Sequence, residues 1–204
     1  MRKISKGRHS TLFDTFITIY APTVWEDIHE IGVPKDAHED TKLQILIDEQ
    51  NQLCGYTEIY INEIEECHID HYKKRSMFPE LTFEWDNLIV ARKDSLFGAN
   101  YKDHQSGIGI NDYFYILNPV TDKVENYFEY TPWGEIIPKP DLSEVEKEKA
   151  IKTKDVFNLN HRSLKDRRKN IIRLINDYAT LGNLDIYSAL ESSGFTSVKN
   201  QLLT

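Results

Sequence analysis

The apolar stretches of this chain are short, and turn residues interrupt them before any can grow into a long element. The longest, such as Leu43 to Ile47 and Leu88 to Ala91, fall far short of the ~20 residues that a membrane-spanning helix needs. A core must therefore be assembled from many brief strands and helices, which is an α+β plan. No internal repeat or low-complexity segment is visible. The 204 residues suffice for one domain, or for a small functional core wrapped by helices. The expectation is a single unit over 1–204, with a core near 54–106 and a helical part near 142–204; the lesser reading makes the tail after Leu142 a separate module.

Residues 41–53 carry Leu43, Leu46, Ile47 and Leu53 at helix-like spacing, and Gly55 ends that helix. The stretch Ile64 to Tyr72 reads as a strand, with Ile64, Ile69 and Tyr72 as candidate buried positions. Lys73 to Pro79 is a loop, Leu81 to Ala91 a second strand, and a helix begins near Ala99. Residues 111–138 read as short extended pieces between turn signals. Ser143-Glu144-Val145-Glu146 is a capping box that opens a charged helix. A further helix presents Leu164, Ile171, Ile175 and Tyr178 on one face, Gly182 closes it, and a short helix follows near Leu184 to Leu190.

Charge limits the functions open to the chain. A net charge of -8 argues against indiscriminate nucleic-acid binding, since phosphate affinity comes from clustered Lys and Arg. Two local clusters run the other way, Lys73-Lys74-Arg75 and the basic stretch from Arg162 to Lys169, although such runs are more often solvated faces. Two cysteines, Cys54 and Cys67, cannot form a disulfide framework. The basic N-terminus is not followed by an apolar signal region, so the expected location is cytoplasmic, away from membranes.

The segment richest in chemistry is Cys67-His68-Ile69-Asp70-His71-Tyr72. Alternation on a strand puts His68 and Asp70 on one face and Ile69 and His71 on the other, so a twist or bulge is needed to bring Asp70 and His71 to one metal-bound phosphate. Asp70 supplies a hard oxygen suited to Mg²⁺ or Mn²⁺. His71 titrates near ~6.5 when unperturbed, which suits a general base at neutral pH. Asn87 follows sixteen residues later and Asn100 thirteen beyond that. In this order Asp70 and Asn100 can hold one divalent cation while His71 faces the attacking water. Asn87 either fixes the loop and the imidazole or reaches the metal itself. Against this stands the plainer reading that Asp86-Asn87 forms an Asx turn between strands.

The run His68-Ile69-Asp70-His71-Tyr72, then Lys74, Ser76 and Phe78 through Leu88, resembles the core of the PtuB-type HNH nucleases, the nuclease subunits of Septu anti-phage systems and of some retrons. The similarity continues in Leu117-Asn118-Pro119, Tyr127-Phe128-Glu129-Tyr130, Gly134 to Pro138, Leu159-Asn160 and Arg167-Arg168-Lys169, and Met1 to Lys6 fits the family opening. The resemblance implies a ββα-metal (HNH) core wrapped by N- and C-terminal helices. It implies His71 as general base, Asp70 as metal ligand, Asn87 at the middle HNH position and Asn100 at the last, with His104 one turn later as a substitute. It also implies a metal-dependent endonuclease hydrolysing DNA or RNA, including tRNA, as effector of a defence complex. The implied partners are a PtuA-like ATPase and, in retrons, a reverse transcriptase with its DNA–RNA product.

The chain departs from the family in its cysteines. Cys54-Gly55-Tyr56-Thr57 keeps one Cys of a Cys-x-x-Cys knuckle, and Ala91 and Ala99 stand where a second pair belongs. No structural zinc is expected, because a closed Cys₄ site needs four thiolates; apolar packing should replace it. That loss motivates an alternative from another class, an interaction or docking subunit with a degenerate nuclease core. A free-standing restriction-like nuclease is a weaker third. His68, Lys73, Lys74, Arg75 and Lys102 are the candidate nucleic-acid contacts. His9, His29 and His38 are expected to be solvated. The aromatics Tyr113, Phe114, Tyr115, Tyr127, Phe128 and Tyr130 are expected to pack in the core rather than stack bases. His161-Arg162 reads equally as a helix N-terminus or a nucleic-acid contact.

Overall fold

A computed structural model of the chain describes residues 1–30, 36–181 and 186–203. It mixes helices with two small antiparallel sheets, in agreement with the α+β expectation. In chain order the regular elements are α1 (Thr11–Tyr20), α2 (Ala37–Gln44), β1 (Cys67–His71), β2 (Leu88–Arg92), α3 (Gly98–His104), β3 (Phe128–Tyr130), β4 (Ile136–Pro138), α4 (Glu144–Val156), α5 (Arg162–Leu181), α6 (Ile186–Ala189) and α7 (Thr196–Leu203). No helix among the described residues is long and apolar enough to cross a membrane.

The helix expected over 41–53 starts earlier and faces differently. Its buried stripe runs through Ala37, Thr41 and Ile45; of the four apolar residues read as its face, Leu46 and Leu53 are buried while Leu43 and Ile47 lie exposed. A Thr can occupy that stripe because its hydroxyl donates to the Ala37 carbonyl at 2.7 Å, leaving no unsatisfied polar group. A π turn over Ile45–Glu49 then widens the helix, with the Gln50 amide bonding back to Ile45. The chain next makes a tight turn at Cys54–Thr57 that lies on β2, where Gly55 donates to the Val90 carbonyl at 3.0 Å. A Cβ at Gly55 would come 2.3 Å from the Ile89 side chain, so only glycine permits this approach.

β1 is shorter than the sequence suggests, because Ile64–Glu66 forms a 3₁₀ turn ahead of it. The second strand is also cut down, to Leu88–Arg92. Thr82, Phe83 and Trp85 reach the core from turns instead: Thr82 Oγ1 bonds back to Pro79, Phe83 packs edge-on against Phe16, and Trp85 Nε1 donates to Glu49 at 2.8 Å. The strands pair one-to-one from Cys67↔Arg92 to His71↔Leu88, and α3 packs against β2. The strand, loop, strand, helix order read from the sequence is therefore present.

Residues 110–115 form a 3₁₀ turn rather than an extended piece, whereas β3 and β4 do make a short hairpin. The capping box forms as expected, with Ser143 Oγ accepting from Glu146 and the Glu146 carboxylate accepting from the Ser143 amide. On α5, Leu164, Ile171 and Ile175 are buried and Tyr178 packs half-buried against the same core. Gly182 and Leu184 lie outside the described residues. One continuous apolar cluster runs from Met1 to Val198, so the N- and C-terminal helices share a core with the β1–β2–α3 unit.

Candidate active site around Asp70 and His71

The C-terminal end of β1 and the outer face of α3 enclose a cleft of about 440 Å³, into which His68, Asp70, His71, Lys74, Arg75, Asn100, Asp103 and His104 all open. The cleft lining runs through four consecutive residues of β1, His68 to His71, on an unbroken strand register; the Asp70 side chain turns to Tyr56 and Lys102, and that of His71 to Thr82 and Trp25. A larger groove of about 510 Å³ lies between α1 and α2 and holds His9, Asp40 and Asp48. His9 there is tied to Asp14 at 2.8 Å in an exposed pair. The smaller cleft carries the denser chemistry.

His71 is 7% exposed, and its Nε2 lies 2.8 Å from the Thr82 carbonyl oxygen. A carbonyl only accepts, so Nε2 must carry the proton of the neutral ring, which leaves the Nδ1 lone pair free. Trp25 closes edge-on against the imidazole, with ring centroids 4.8 Å apart. Burial pushes the imidazole down to about 4, against the Thr82 hydrogen bond, which favours the charged form. The ring is therefore neutral at physiological pH.

Asp70 is also buried. Its Oδ2 accepts from the Tyr56 hydroxyl and lies 3.1 Å from Lys102 Nζ. Tyr56 is held by its stack on Phe157, and burial followed by the charge of Asp70 raises its phenol well above the ordinary value, so it donates only. Lys102 corrects an expectation. It is fully buried and cannot contact nucleic acid from this position; its ammonium donates to the His71 and Tyr72 carbonyls at 2.8 and 3.0 Å and pairs with Asp70 and Asp103. Burial acts to lower its pKa, but the two carboxylates outweigh that and raise it. Asp103 was not singled out in the sequence. Its Oδ1 is buried 3.1 Å from Lys102 without hydrogen-bond alignment, and burial, then the charge of Asp70, raise its pKa.

Asn87 lies outside the cleft and works on the loop. Its Oδ1 accepts from the Lys73 amide at 2.8 Å, and its Nδ2 donates to the Lys73 and Leu81 carbonyls at 3.1 and 3.0 Å. These bonds clip both ends of the β1–β2 connection, from which Thr82 reaches His71. Of the two roles left open for Asn87, the geometry is that of loop fixation. Asn100 is half-buried and His104 exposed, and both line the cleft.

The basic residues are partly engaged. Lys73 Nζ sits over the Phe78 ring, Lys74 Nζ donates to the Asp103 carbonyl at 2.8 Å, and Arg75 pairs with exposed Glu26 at 3.0 Å. His68 is lowered by burial, and Asp70 opposes that shift. His38 departs from the solvated expectation, packing half-buried between Trp25 and His29. Phe114 and Tyr115 depart from the core expectation and are 81% and 61% exposed, while Tyr113, Phe128 and Tyr130 are buried. His161 opens α5 and bonds Ser163 through Nδ1 at 2.9 Å.

Cys54 and Cys67 are free and buried. Cys54 Sγ accepts from the Arg92 amide, and Thr57, Ala91 and Ala99 are all buried. Among the described residues, no three His, Cys, Asp or Glu side chains gather closely enough to hold a metal ion. No protein-family model matches the chain, and no curated protein matches it.

Proposed function

We propose that the chain is a metal-dependent endonuclease of the HNH kind, in which β1, β2 and α3 form the ββα-metal core and His71 activates water against a phosphodiester. The observation that carries this reading is the tautomer of His71. A buried imidazole whose Nε2 is committed to a backbone carbonyl, lining the same cleft as an aspartate, keeps Nδ1 as its basic nitrogen, as a general base requires. A hard divalent cation, Mg²⁺ or Mn²⁺, would be held by one carboxylate and one amide, Asp70 and Asn100, which both line the cleft. Asp70 Oδ1 accepts no hydrogen bond from the described residues, and the Asn100 amide lines the same cleft. So sparse a set leaves coordination places for water and phosphate oxygens. When bound, such a cation neutralises charge on the phosphate and the leaving oxygen.

In this mechanism water loses a proton to His71 Nδ1 as its oxygen bonds to phosphorus, and the bond from phosphorus to the leaving sugar oxygen breaks. That oxygen is then protonated by solvent. Asn87 keeps Thr82 in place by clipping the loop, and Thr82 keeps the tautomer. The exposed rings of Phe114 and Tyr115 follow Tyr113, whose hydroxyl accepts from the Lys74 amide, and they offer stacking faces to unpaired bases.

The net charge of -8 and the few free cations at the cleft fit a subunit that cuts within an assembly, with an ATPase partner holding the nucleic acid. The same shortage of cations, with Lys102 buried and Arg75 paired to Glu26, is what favours the competing docking reading. One genetic test separates the two: His71→Ala in the intact system abolishes protection or toxicity if the chain cuts. Unchanged activity would leave only the docking role.

A further inference from the structure

We propose that Tyr56 and Lys102 are positioning residues that hold Oδ2 of Asp70, Tyr56 by a hydrogen bond and Lys102 by its charge, so that the aspartate takes a divalent cation through Oδ1 alone. The inference rests on the nuclease reading above and deepens it. Both partners of Asp70 converge on the same oxygen: the Tyr56 hydroxyl donates to Oδ2, and Lys102 Nζ lies 3.1 Å from it. The other oxygen accepts nothing from the described residues and is not sealed from solvent. A carboxylate held in this way cannot turn to chelate through both oxygens without giving up two partners.

Each holder is itself fixed by independent contacts. Tyr56 is fully buried and stacked on Phe157 at 4.4 Å, and its backbone sits in the turn that Gly55 pins to β2. Lys102 belongs to α3 yet donates to the carbonyls of His71 and Tyr72 at the end of β1. One ammonium therefore ties the strand bearing Asp70 and His71 to the helix bearing Asn100, and sets the span between the candidate ligands. Asp103 also balances the ammonium, at 3.1 Å. With both carboxylates facing it, a buried lysine becomes tolerable where an unpaired one would not be. Partners that orient a metal ligand without touching the metal commonly change metal affinity by 10–100-fold when removed.

The test is Mn²⁺ binding to the full chain, read as loss of the free-ion EPR signal, for wild type, Asp70→Asn and Tyr56→Phe. Tyr56→Phe keeps the ring and its stack, so its fold is expected to survive; a melting curve on each sample checks this. Wild type should bind, Asp70→Asn should lose binding, and Tyr56→Phe should bind about tenfold more weakly with its melting curve retained. Wild-type affinity in a folded Tyr56→Phe would overturn this inference and leave the nuclease reading standing. Absence of Mn²⁺ binding by wild type, or full binding by Asp70→Asn, would overturn the metal reading and this inference with it. If Tyr56→Phe does not fold, Asp103→Asn serves as the second variant: it loosens the ammonium and should also weaken binding, and unchanged affinity there overturns the proposal.

Discussion

Two of the buried polar networks among the described residues, one around Glu58 and one around Asp70, are built to different plans. Around Glu58 the network is closed. Oε1 meets the Met1 ammonium at 2.7 Å and Oε2 accepts from the Ser197 amide at 2.8 Å, while Tyr130 bridges to Met1. Nearby, Arg168 spends its donors on the carbonyls of Gly134 and Leu159 and on Asn160. Around Asp70 the network is open: one carboxylate oxygen holds the Tyr56 hydroxyl and the Lys102 ammonium, the other accepts no hydrogen bond from the described residues, and Asp70 and His71 both line a cleft. The first arrangement fastens the chain start and the C-terminal helices to a shared core. The second leaves binding capacity unspent where a substrate can reach it, which is what separates a site from a fastening.

The sharpest way to break the comparison is to remove the base. His71→Ala should lower metal-dependent cleavage by about 10²- to 10⁴-fold, and should also lower the melting temperature, because the ring is buried against Trp25 and bonded to the Thr82 carbonyl. Cleavage assays on the assembled system provide the check. Removing a buried charge from either network should destabilise both by similar amounts. Glu58→Gln leaves the Met1 ammonium unpaired, Lys102→Met leaves two carboxylates unpaired, and each should lose about 3–5 kcal/mol in denaturant unfolding. Mn²⁺ binding then distinguishes them, because only the Lys102 variant is expected to change it.

Acid offers a milder probe. The folded chain holds His71 near 4, well below 6.5, so the unfolded state binds a proton that the folded state refuses. The stability this residue contributes is therefore whole above about pH 6.5 and lost as pH falls through 4, by on the order of 3 kcal/mol at most. Thermal unfolding from pH 7 to 4 should show that slope, and His71→Asn should flatten it. The smallest effect is expected at the cleft rim. Glu26→Gln releases Arg75 from an exposed pair, so stability should change by less than ~1 kcal/mol. Oligonucleotide binding, followed by fluorescence anisotropy, should tighten a few-fold and become more salt-sensitive.

Much of the open network could be read from the sequence, because its parts are local. Asp70 and His71 are adjacent, and the strand, loop, strand, helix order follows from β-branched runs, Pro79 and the helix start near Ala99. The capping box at Ser143 and the apolar face of α5 were visible for the same reason. The burial of Lys102 is not legible in Lys102-Asp103-His104, a polar run. Its burial depends on Asp70, more than thirty residues earlier, and lysine is rarely buried unless it is paired. Nothing local marks Tyr56, whose partner Asp70 lies fourteen residues on. Strand propensity overextends both strands: Ile64–Glu66 is a 3₁₀ turn, and Thr82, Phe83 and Trp85 reach the core from turns.

The most direct test of the account is to map the ends of nucleic acids in cells that carry the intact system, with wild-type chain and with His71→Ala. Hydrolysis by this site predicts new termini at discrete positions in the wild-type sample that vanish in the variant. The same termini appearing at equal abundance in both samples would contradict the account.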